Sequence, residues 1–202
     1  MIRKFVSAVA LLSLMAVGLL QGCSSEKPGP AQYKVLLQTS RGDVTIEVIR
    51  DWAPRGADRF YTLVKDGFYD GAEFFRVIRS PEPFMAQFGI NGDPKVTEKW
   101  ANSNLQDDPV TQHNTRGMVS FATAGPNTRT TQLFINYGDN SRLDATGFSP
   151  FGRVMSGMEV VDQFYADYGE DPDQSRIESE GNMYLKKEFP KLDYIKTAKI
   201  VE

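Results

Sequence analysis

The two residue types that most often carry covalent or metal chemistry each occur once in this chain, as Cys23 and His113. A zinc site draws several ligands from histidine and cysteine, and one of each cannot supply them. A Ser-His-Asp triad would have to use His113, but no Gly-x-Ser-x-Gly turn accompanies it. We interpret His113 as a loop residue. The sequence therefore favours chemistry that needs no nucleophile, no metal and no cofactor.

Arg76 is a single cation in the apolar run Phe74-Phe75-Arg76-Val77-Ile78. Taken alone, an arginine in such a strand is usually a solvated surface residue. Phe84, Met85 and Phe134, each taken alone, would usually belong to a hydrophobic core. A functional role for these residues depends on their occurring together, in order and at a meaningful spacing.

The N-terminal residues have the order of a secretory signal. Arg3 and Lys4 precede an apolar stretch over 5–20, and small residues follow it. The stretch is too short for a comfortable membrane span, which needs about 20 apolar residues. The ending Leu20-Gln21-Gly22-Cys23 resembles a bacterial lipobox, which implies cleavage before Cys23 and acylation of that residue. An ordinary signal with a nearby cysteine and an uncleaved anchor remain alternatives.

Lipid on Cys23 would fix the protein to a membrane, because two or three acyl chains anchor stably whereas one binds only marginally. Acylation would also leave no cysteine for a disulfide. Ser24, in second place of the processed chain, is more typical of outer-membrane sorting in Gram-negative bacteria. We expect a location in the bacterial cell envelope, with the periplasmic face of the outer membrane favoured. The predicted organisation is a signal peptide over 1–22, a lipidated tether over 23–31 and one domain over 32–202.

The charge balance limits the partners. Without Arg3 and Lys4, the 23 basic side chains fall to 21 against 26 acidic ones, which gives a net charge of about −5. No basic patch stands out, so nucleic acid is not an expected partner. The processed chain has one domain's worth of residues, and we expect a monomer.

Hydrophobic periodicity predicts a mainly β domain. Val44, Ile46 and Val48 alternate with polar residues, which is the period of a half-buried strand. This run forms a hairpin with the strand before it. Strands are predicted over 33–39, 44–49, 73–78, 118–123, 132–136, 151–155 and 191–201.

Two helices are predicted among these strands. Over 54–65 the apolar residues fall at helical spacing, with Pro54 suited to a first turn and Gly67 to a stop. The sequence Ser156-Gly157-Met158-Glu159 resembles a capping box that opens a second helix. Residues 79–115 are rich in Pro, Gly, Asn and Asp and are predicted to be mostly ordered loop. Strands joined by turns, with few helices, suit a closed antiparallel barrel with helices over its open ends.

The segment 166–190 differs from the rest of the domain. It is strongly charged and contains Gly169, Pro172 and Gly181. We expect a solvated surface insert with one or two helical turns near 184–188, and we favour that interpretation over a partner-binding site.

Four segments, taken in order, resemble the cyclophilin family. The first is the run around Arg76, and the second is Pro83-Phe84-Met85-Ala86-Gln87-Phe88-Gly89. The third runs from Met118-Val119-Ser120-Phe121-Ala122-Thr123 through Ala124-Gly125-Pro126-Asn127-Thr128 to Thr131-Gln132-Leu133-Phe134-Ile135. The fourth is Arg142-Leu143-Asp144, followed by Phe151-Gly152-Arg153-Val154. The resemblance implies a closed eight-stranded antiparallel barrel capped by two α-helices, with a proline-binding groove on its outer wall.

The resemblance also implies a role for each groove residue. Arg76 matches the catalytic arginine of a peptidyl-prolyl cis/trans isomerase. The proline-ring pocket corresponds to Phe84, Met85, Phe134 and Leu143. The polar residues beside that pocket correspond to Gln87, which also helps to orient the arginine, and Gln132. The edge that meets the substrate backbone corresponds to Ala122 and Thr123.

Three positions depart from the commonest family pattern. Phe75 stands where many members have a histidine before the arginine, and Arg142 stands where many eukaryotic members have a tryptophan. Phe148 is our candidate for the place of a histidine that faces the pocket. We include Phe75 and Phe148 among the expected substrate-binding residues. The absent tryptophan weakens the expectation of tight cyclosporin binding, and the absent pocket histidine affects substrate preference more than catalysis.

The expected function is isomerisation of X–Pro bonds in proline-containing client polypeptides, which assists the folding of envelope or secreted proteins. The departures at 75, 142 and 145–148 motivate an alternative, a module that binds proline-containing segments with little or no turnover. A purely structural envelope protein is a third class, for which neither binding nor turnover is expected.

Overall fold

The computed structural model describes residues 28–201. The predicted signal peptide over 1–22 and the predicted lipidation site at Cys23 lie outside these residues, as does most of the predicted tether. Between 28 and 201, no helix is both long and apolar enough to cross a membrane. At the start of this range, the backbone N–H of Gly29 donates to Asp58 Oδ1 at 2.8 Å.

Eight antiparallel strands form a single sheet, as the family resemblance implies. The strand Met85–Phe88 lies within 79–115, which the residue pattern predicts to be mostly loop. The strands are β1 (Gln32–Thr39), β2 (Asp43–Ile49), β3 (Arg76–Ile78), β4 (Met85–Phe88), β5 (Met118–Phe121), β6 (Leu133–Asn136), β7 (Pro150–Ser156) and β8 (Ile195–Val201). Their order across the sheet is β3-β4-β6-β5-β7-β2-β1-β8.

The hairpin of β1 and β2 shows how the sequence builds this sheet. Val35 and Leu37 are fully buried, and partly exposed residues alternate with them. Val35 lies opposite Ile46 in the register of the pair. Because side chains alternate between the faces of a strand, this register places one apolar row in the core and leaves the other face to solvent.

The predicted closure of the barrel is not found, because the sheet is curled but open. Its edge strands β3 and β8 share no ladder, and the chain beside them makes one isolated bridge, between Glu73 and Tyr194. Flanking bonds include Phe74 N–H to the Asp193 carbonyl at 2.8 Å. The physical reason is that β3 has three residues and follows a series of turns, so its edge offers too little extended backbone to pair with β8.

The helices agree with the prediction in part. They are α1 (Pro54–Lys65), α2 (Pro94–Trp100), α3 (Met158–Val161), α4 (Gln174–Glu180) and α5 (Asn182–Glu188), with short 3-10 helices at Arg50–Trp52 and Ser141–Thr146. The helix predicted over 54–65 has the predicted bounds, and its Phe60 and Leu63 are fully buried in the core.

The predicted second helix is only one turn long, and its capping box is wrong. Ser156 ends β7, and the N-cap of α3 is Gly157, which makes no side-chain cap. Gly157 has φ +89°, and an added Cβ would meet the backbone carbonyl oxygen of Asp43. The site therefore requires glycine, and the cap of α3 is set by close packing against β2.

The segment 166–190 is a docked helical pair, α4 and α5. The helical turns predicted near 184–188 are present as α5, whereas α4 was not predicted and the apolar packing corrects the expectation of a purely solvated insert. Ile177, Tyr184 and Leu185 are buried in a second apolar cluster that includes Phe75 and Ile90. Charged residues such as Arg176 and Glu180 lie on the exposed face of these helices. The segment therefore has its own apolar anchor on the body of the domain.

Candidate active site

A groove of about 600 Å³ lies on the outer face of the sheet. Its lining includes Arg76, Phe84, Met85, Gln87, Ala122, Thr123, Gln132, Phe134, Leu143 and Phe148. These are all of the predicted site residues within the described range except Phe75. The structure thus brings together side chains that are far apart in sequence.

Strand alternation explains why these side chains share one face. In β3, β4 and β6 the groove residues alternate with residues of the core, such as Val77, Ala86 and Ile135. The register places Arg76 opposite Gln87, and Gln87 opposite Phe134. Cross-strand neighbours on one face are close enough to interact directly. The three strands therefore present a cation, an amide and an aromatic ring in one row.

Arg76 is held on two sides by hydrogen bonds. Its Nη1 donates to Gln87 Oε1 at 3.2 Å, and its Nε donates to Glu170 Oε1 at 2.6 Å. Its Nη2 donates to the same Glu170 oxygen. The Phe84 ring lies beneath the guanidinium, with its centroid 5.7 Å from Cζ. The Arg76 side chain is 27% exposed, so part of its donor set faces the groove.

A second amide fixes the orientation of the first. Gln87 Nε2 donates to Gln132 Oε1 at 2.8 Å. This bond turns the carbonyl oxygen of the Gln87 amide towards Arg76, where it accepts from the cation. Gln132 immediately precedes β6 and is held there, because its backbone carbonyl accepts from Ala122 N–H at 2.9 Å. The chain Gln132–Gln87–Arg76 therefore defines the position of the guanidinium.

The apolar part of the groove is aromatic. Phe134 and Phe148 meet edge to face with their centroids 5.6 Å apart. Phe84 carries a second cation, because Arg142 Cζ lies 5.0 Å from its ring centroid. Arg142 donates to Asn140 Oδ1 at 3.0 Å. This part of the groove is therefore an apolar, mainly aromatic pocket.

The turn that carries Leu143 is fixed by Asp144. Its carboxylate accepts from the backbone N–H of Asn114 at 3.0 Å and from Asn114 Nδ2 at 2.7 Å, and it pairs with His113 Nδ1 at 2.8 Å. Partial burial acts to raise the pKa of Asp144, but these hydrogen bonds outweigh it and hold that pKa below its ordinary value. His113 lies in a loop with 82% of its side chain exposed, and it acts here as a support of the turn.

The edge of the groove is formed by the loop after β5. Thr123 Oγ1 accepts from the backbone N–H of Gly125 at 3.0 Å, and Thr128 Oγ1 accepts from Ala124 N–H at 3.0 Å. These bonds keep the backbone at Ala122 and Thr123 next to the cavity, where an extended polypeptide could lie against it.

Phe75 lies outside the groove, and its predicted contact with substrate is corrected. Its side chain is only 1% exposed and packs in the second apolar cluster with Ile177 and Leu185. Arg76 and Phe75 are adjacent in the chain and project in different directions, so Phe75 serves as the docking surface for α4 and α5.

Sequence reasoning missed several residues at the site. Gln174 and Glu178, which are one helical turn apart on α4, line the groove, as do Ala101, Asn104, Thr128 and Thr130. Glu170 contacts Arg76 directly. Nothing in the local sequence marks Glu170, whereas the i, i+4 spacing of Gln174 and Glu178 beside the apolar Ile177 was a usable signal for a helix with one polar face.

No group of three His, Cys, Asp or Glu side chains that could hold a metal ion occurs within 28–201. The groove places a positioned cation and two amides beside an apolar pocket.

Comparisons with known proteins agree on one family. A sequence model described as cyclophilin type peptidyl-prolyl cis-trans isomerase/CLD matches residues 34–183. The Arabidopsis thaliana protein "Peptidyl-prolyl cis-trans isomerase CYP18-1" is 39% identical over 136 residues, which cover 63% of this chain and 79% of that protein. The Homo sapiens protein "Peptidyl-prolyl cis-trans isomerase-like 3" is 37% identical over 135 residues, which cover 64% of this chain and 80% of that protein.

A solved structure supports the fold. The crystal structure of a Cryptosporidium parvum cyclophilin type peptidyl-prolyl cis-trans isomerase aligns with a TM-score of 0.60 at 24% sequence identity. The alignment covers 85% of this chain and 98% of that one. A second structure of that protein, determined in the presence of the dipeptide Ala-Pro, aligns with a TM-score of 0.61 at 24% identity, covering 84% of this chain and 99% of that one.

Proposed function

The chain belongs to the family of cyclophilin-type peptidyl-prolyl cis-trans isomerases, and from that premise we propose that its groove accelerates rotation about X–Pro bonds, with Arg76 as the catalytic residue. The observation that carries the assignment of Arg76 is its position in one cross-strand row with Gln87 and Phe134, at the edge of the apolar pocket. The isomerase activity itself is that of the family.

The reaction suits a site without a nucleophile. The barrier to rotation of a peptide bond is about 18–20 kcal/mol, because the nitrogen lone pair is delocalised into the carbonyl. Uncatalysed X–Pro exchange takes tens to hundreds of seconds. No bond between heavy atoms has to break. A catalyst therefore needs only to favour the twisted state, in which the lone pair returns to nitrogen.

Arg76 would stabilise that state as a donor. Its guanidinium donates to the prolyl nitrogen as the lone pair localises there, and to the carbonyl oxygen of the same proline. Arginine suits this role better than lysine, because its donors form a rigid fork and its charge is permanent. One positioned donor in a site of low water content is worth about 3–4 kcal/mol, or about 10²–10³ in rate.

The remainder of the groove would hold the two sides of the rotating bond. The apolar pocket of Phe84, Met85, Phe134, Leu143 and Phe148 grips the pyrrolidine ring, while the edge at Ala122 and Thr123 meets the client backbone. The related structure determined in the presence of the dipeptide Ala-Pro supports a proline-containing substrate. Clients of this chain would thus be polypeptides with an accessible X–Pro bond.

We also propose that the protein acts in the bacterial cell envelope as a monomer held by lipid on Cys23. The support is the order of charged, apolar and small residues before Leu20-Gln21-Gly22-Cys23. Its clients are then envelope or secreted proteins that fold near a membrane surface, and the periplasmic face of the outer membrane is the favoured place in a Gram-negative cell.

The activity is tested by NMR exchange spectroscopy on a prolyl tetrapeptide, which reports cis/trans interconversion without a coupling protease. The full chain should accelerate exchange at catalytic concentrations. Peptide binding without acceleration would instead identify a proline-binding module, and the proposed function would be wrong.

The membrane proposal has a separate experiment. Cells that produce the wild-type chain or Cys23→Ser are fractionated, and the protein is followed by immunoblotting and by incorporation of labelled palmitate. The wild type should carry label and sediment with membranes, because acylation anchors it. An unlabelled wild type, or a Cys23→Ser variant that sediments and labels equally, would contradict the lipid anchor.

A further inference from the structure

Glu170 reaches the guanidinium of Arg76 from the segment 166–190. Its Oε1 accepts from both Nε and Nη2, while Gln87 Oε1 accepts from Nη1. Arginine has five N–H donors in a fixed planar fork. Within residues 28–201, three of them are therefore occupied by protein partners, and two remain, one on Nη1 and one on Nη2.

The carboxylate approaches from the rim of the groove. Glu170 is 63% exposed, and it is absent from the residues that line the cavity, although Gln174 and Glu178 of the same segment do line it. Glu170 therefore leaves the space for a polypeptide open. Its contact with Arg76 fixes one edge of the guanidinium and leaves the free donors for a ligand.

The position of Glu170 depends on the anchor of its segment. Ile177, Tyr184 and Leu185 pack with Phe75 in the second apolar cluster. Phe75 immediately precedes Arg76, so the segment packs against the neighbour of the catalytic arginine in the chain. The Tyr168 ring also packs on this cluster, two residues before Glu170. The apolar residue at position 75 and the helical insert thus form one structural unit.

We propose that Glu170 is a positioning residue for Arg76, and that the docked segment 166–190 is the element that supplies it. This inference rests on the proposed function of Arg76. An arginine side chain has several rotatable bonds, so holding it in one conformation costs conformational entropy. An ion pair that selects this conformation before the substrate arrives removes the entropy cost from the reaction. Exposed ion pairs change an equilibrium by up to about fivefold, which sets the scale of the effect.

The kinetic test compares Glu170→Ala and Glu170→Gln with the wild-type full chain. Glu170→Ala should lower kcat by about threefold and leave KM unchanged, because Glu170 touches the arginine and not the peptide. Glu170→Gln keeps an accepting oxygen and should recover part of the loss. Glu180→Ala is the matched control: it removes the Arg176–Glu180 ion pair on the outer face of the same segment and should leave kcat unchanged.

A spectroscopic readout separates this inference from the proposed function. The Arg76 Nε–H signal in a ¹H–¹⁵N spectrum, assigned by its loss in Arg76→Lys, should shift on Glu170→Ala and stay in place on Glu180→Ala. Leu185→Ala, which weakens the anchor, should move the same signal in the same direction. These shifts are measured without substrate, so they hold or fail even if the chain had no isomerase activity.

Two results would overturn the inference. One is an unchanged Nε–H signal and unchanged kcat in Glu170→Ala, which would mean that the ion pair has no effect on the arginine. The other is a rise in kcat in Glu170→Ala, which would mean that the carboxylate restrains Arg76 from its substrate.

Discussion

The chain of amides behind Arg76 makes the most detailed prediction about catalysis. Gln87 accepts from Arg76 at 3.2 Å and donates to Gln132 at 2.8 Å. Replacing Gln87 by leucine keeps the volume but removes both bonds. A hydrogen bond to a charged group contributes about 1.5–3 kcal/mol, and the long distance places this one at the lower end. We therefore expect Gln87→Leu to lower kcat/KM about tenfold, since about 1.4 kcal/mol is a factor of ten.

Gln132 should act mainly through Gln87. Gln132→Leu removes the acceptor that orients the Gln87 amide, so that amide can turn its NH₂ group towards the cation. A neutral hydrogen bond contributes about 0.5–1.5 kcal/mol, and we expect kcat/KM to fall about fourfold. In the double variant Gln87 is already replaced, so the loss of Gln132 has no Gln87 amide to misorient. The double variant should therefore lose little more than Gln87→Leu alone.

The assay is NMR exchange spectroscopy on a prolyl peptide, with circular dichroism and thermal melting to check that each variant is folded. The four proteins form a double-mutant cycle, in which the coupling should equal nearly the whole effect of Gln132→Leu. A double variant whose loss is the product of the two single losses, about fortyfold, would refute the idea that the amides work in series.

Two further predictions concern Glu73, which lies beside the open edges of the sheet, and Phe148 in the apolar pocket. Burial raises the pKa of Glu73 to about 7, against a smaller opposing effect of Lys186, so the folded state keeps a proton that the unfolded state releases near 4.5. This proton contributes on the order of 3 kcal/mol to the free energy of unfolding. The contribution is fully present below about pH 4.5 and is lost as the pH rises through 7. Urea unfolding at pH 5 and pH 8 should therefore show a larger loss of stability in the wild type than in Glu73→Gln, and equal losses would contradict the assignment. Phe148→Ala removes one wall of the apolar pocket. Losing about 1 kcal/mol of contact between this ring and the bound proline should raise KM for a prolyl peptide about fivefold with kcat nearly unchanged; an unchanged KM would place Phe148 outside the substrate contact.

Much of the fold and the groove could be predicted because the signals are local. The alternation in β2 and the helical spacing over 54–65 each report directly on which face is buried. The groove residues of β3, β4 and β6 fall in contiguous segments that resemble a known family, so their order in the sequence carries their arrangement in space. The alternation of core and groove residues then follows from strand geometry.

Other features depend on distant contacts that no local pattern reports. The pair Glu170–Arg76 joins residues 94 positions apart, and an exposed carboxylate in a turn looks like any solvated charge. Phe75 was misplaced because an aromatic residue next to a catalytic arginine can face either the groove or the insert. The sheet is open between β3 and β8 because β3 offers only a short stretch of extended backbone for pairing. The sequence pattern predicts a longer strand, over 73–78, than the structure contains.

Two helices were missed although usable signals were present. Asp93 caps α2, accepting from Lys95 N–H at 2.9 Å, and Pro94 follows it. Asp173 caps α4, accepting from Ser175 N–H at 2.9 Å. Aspartate at an N-cap and proline at the first helical position are recognised start signals. The high content of Pro, Gly and charged residues around them outweighed these signals in the sequence interpretation.

The central claim is that one fixed cation, Arg76, carries the catalysis. Its most direct test measures turnover and peptide binding together in the wild type, Arg76→Ala and Arg76→Lys, by NMR exchange spectroscopy and by peptide titration. Arg76→Ala should lose about 10²–10³ in kcat while it stays folded and still binds the peptide through the apolar pocket, and Arg76→Lys should recover only a small part because lysine lacks the rigid fork. Turnover in Arg76→Ala equal to that of the wild type would contradict the claim.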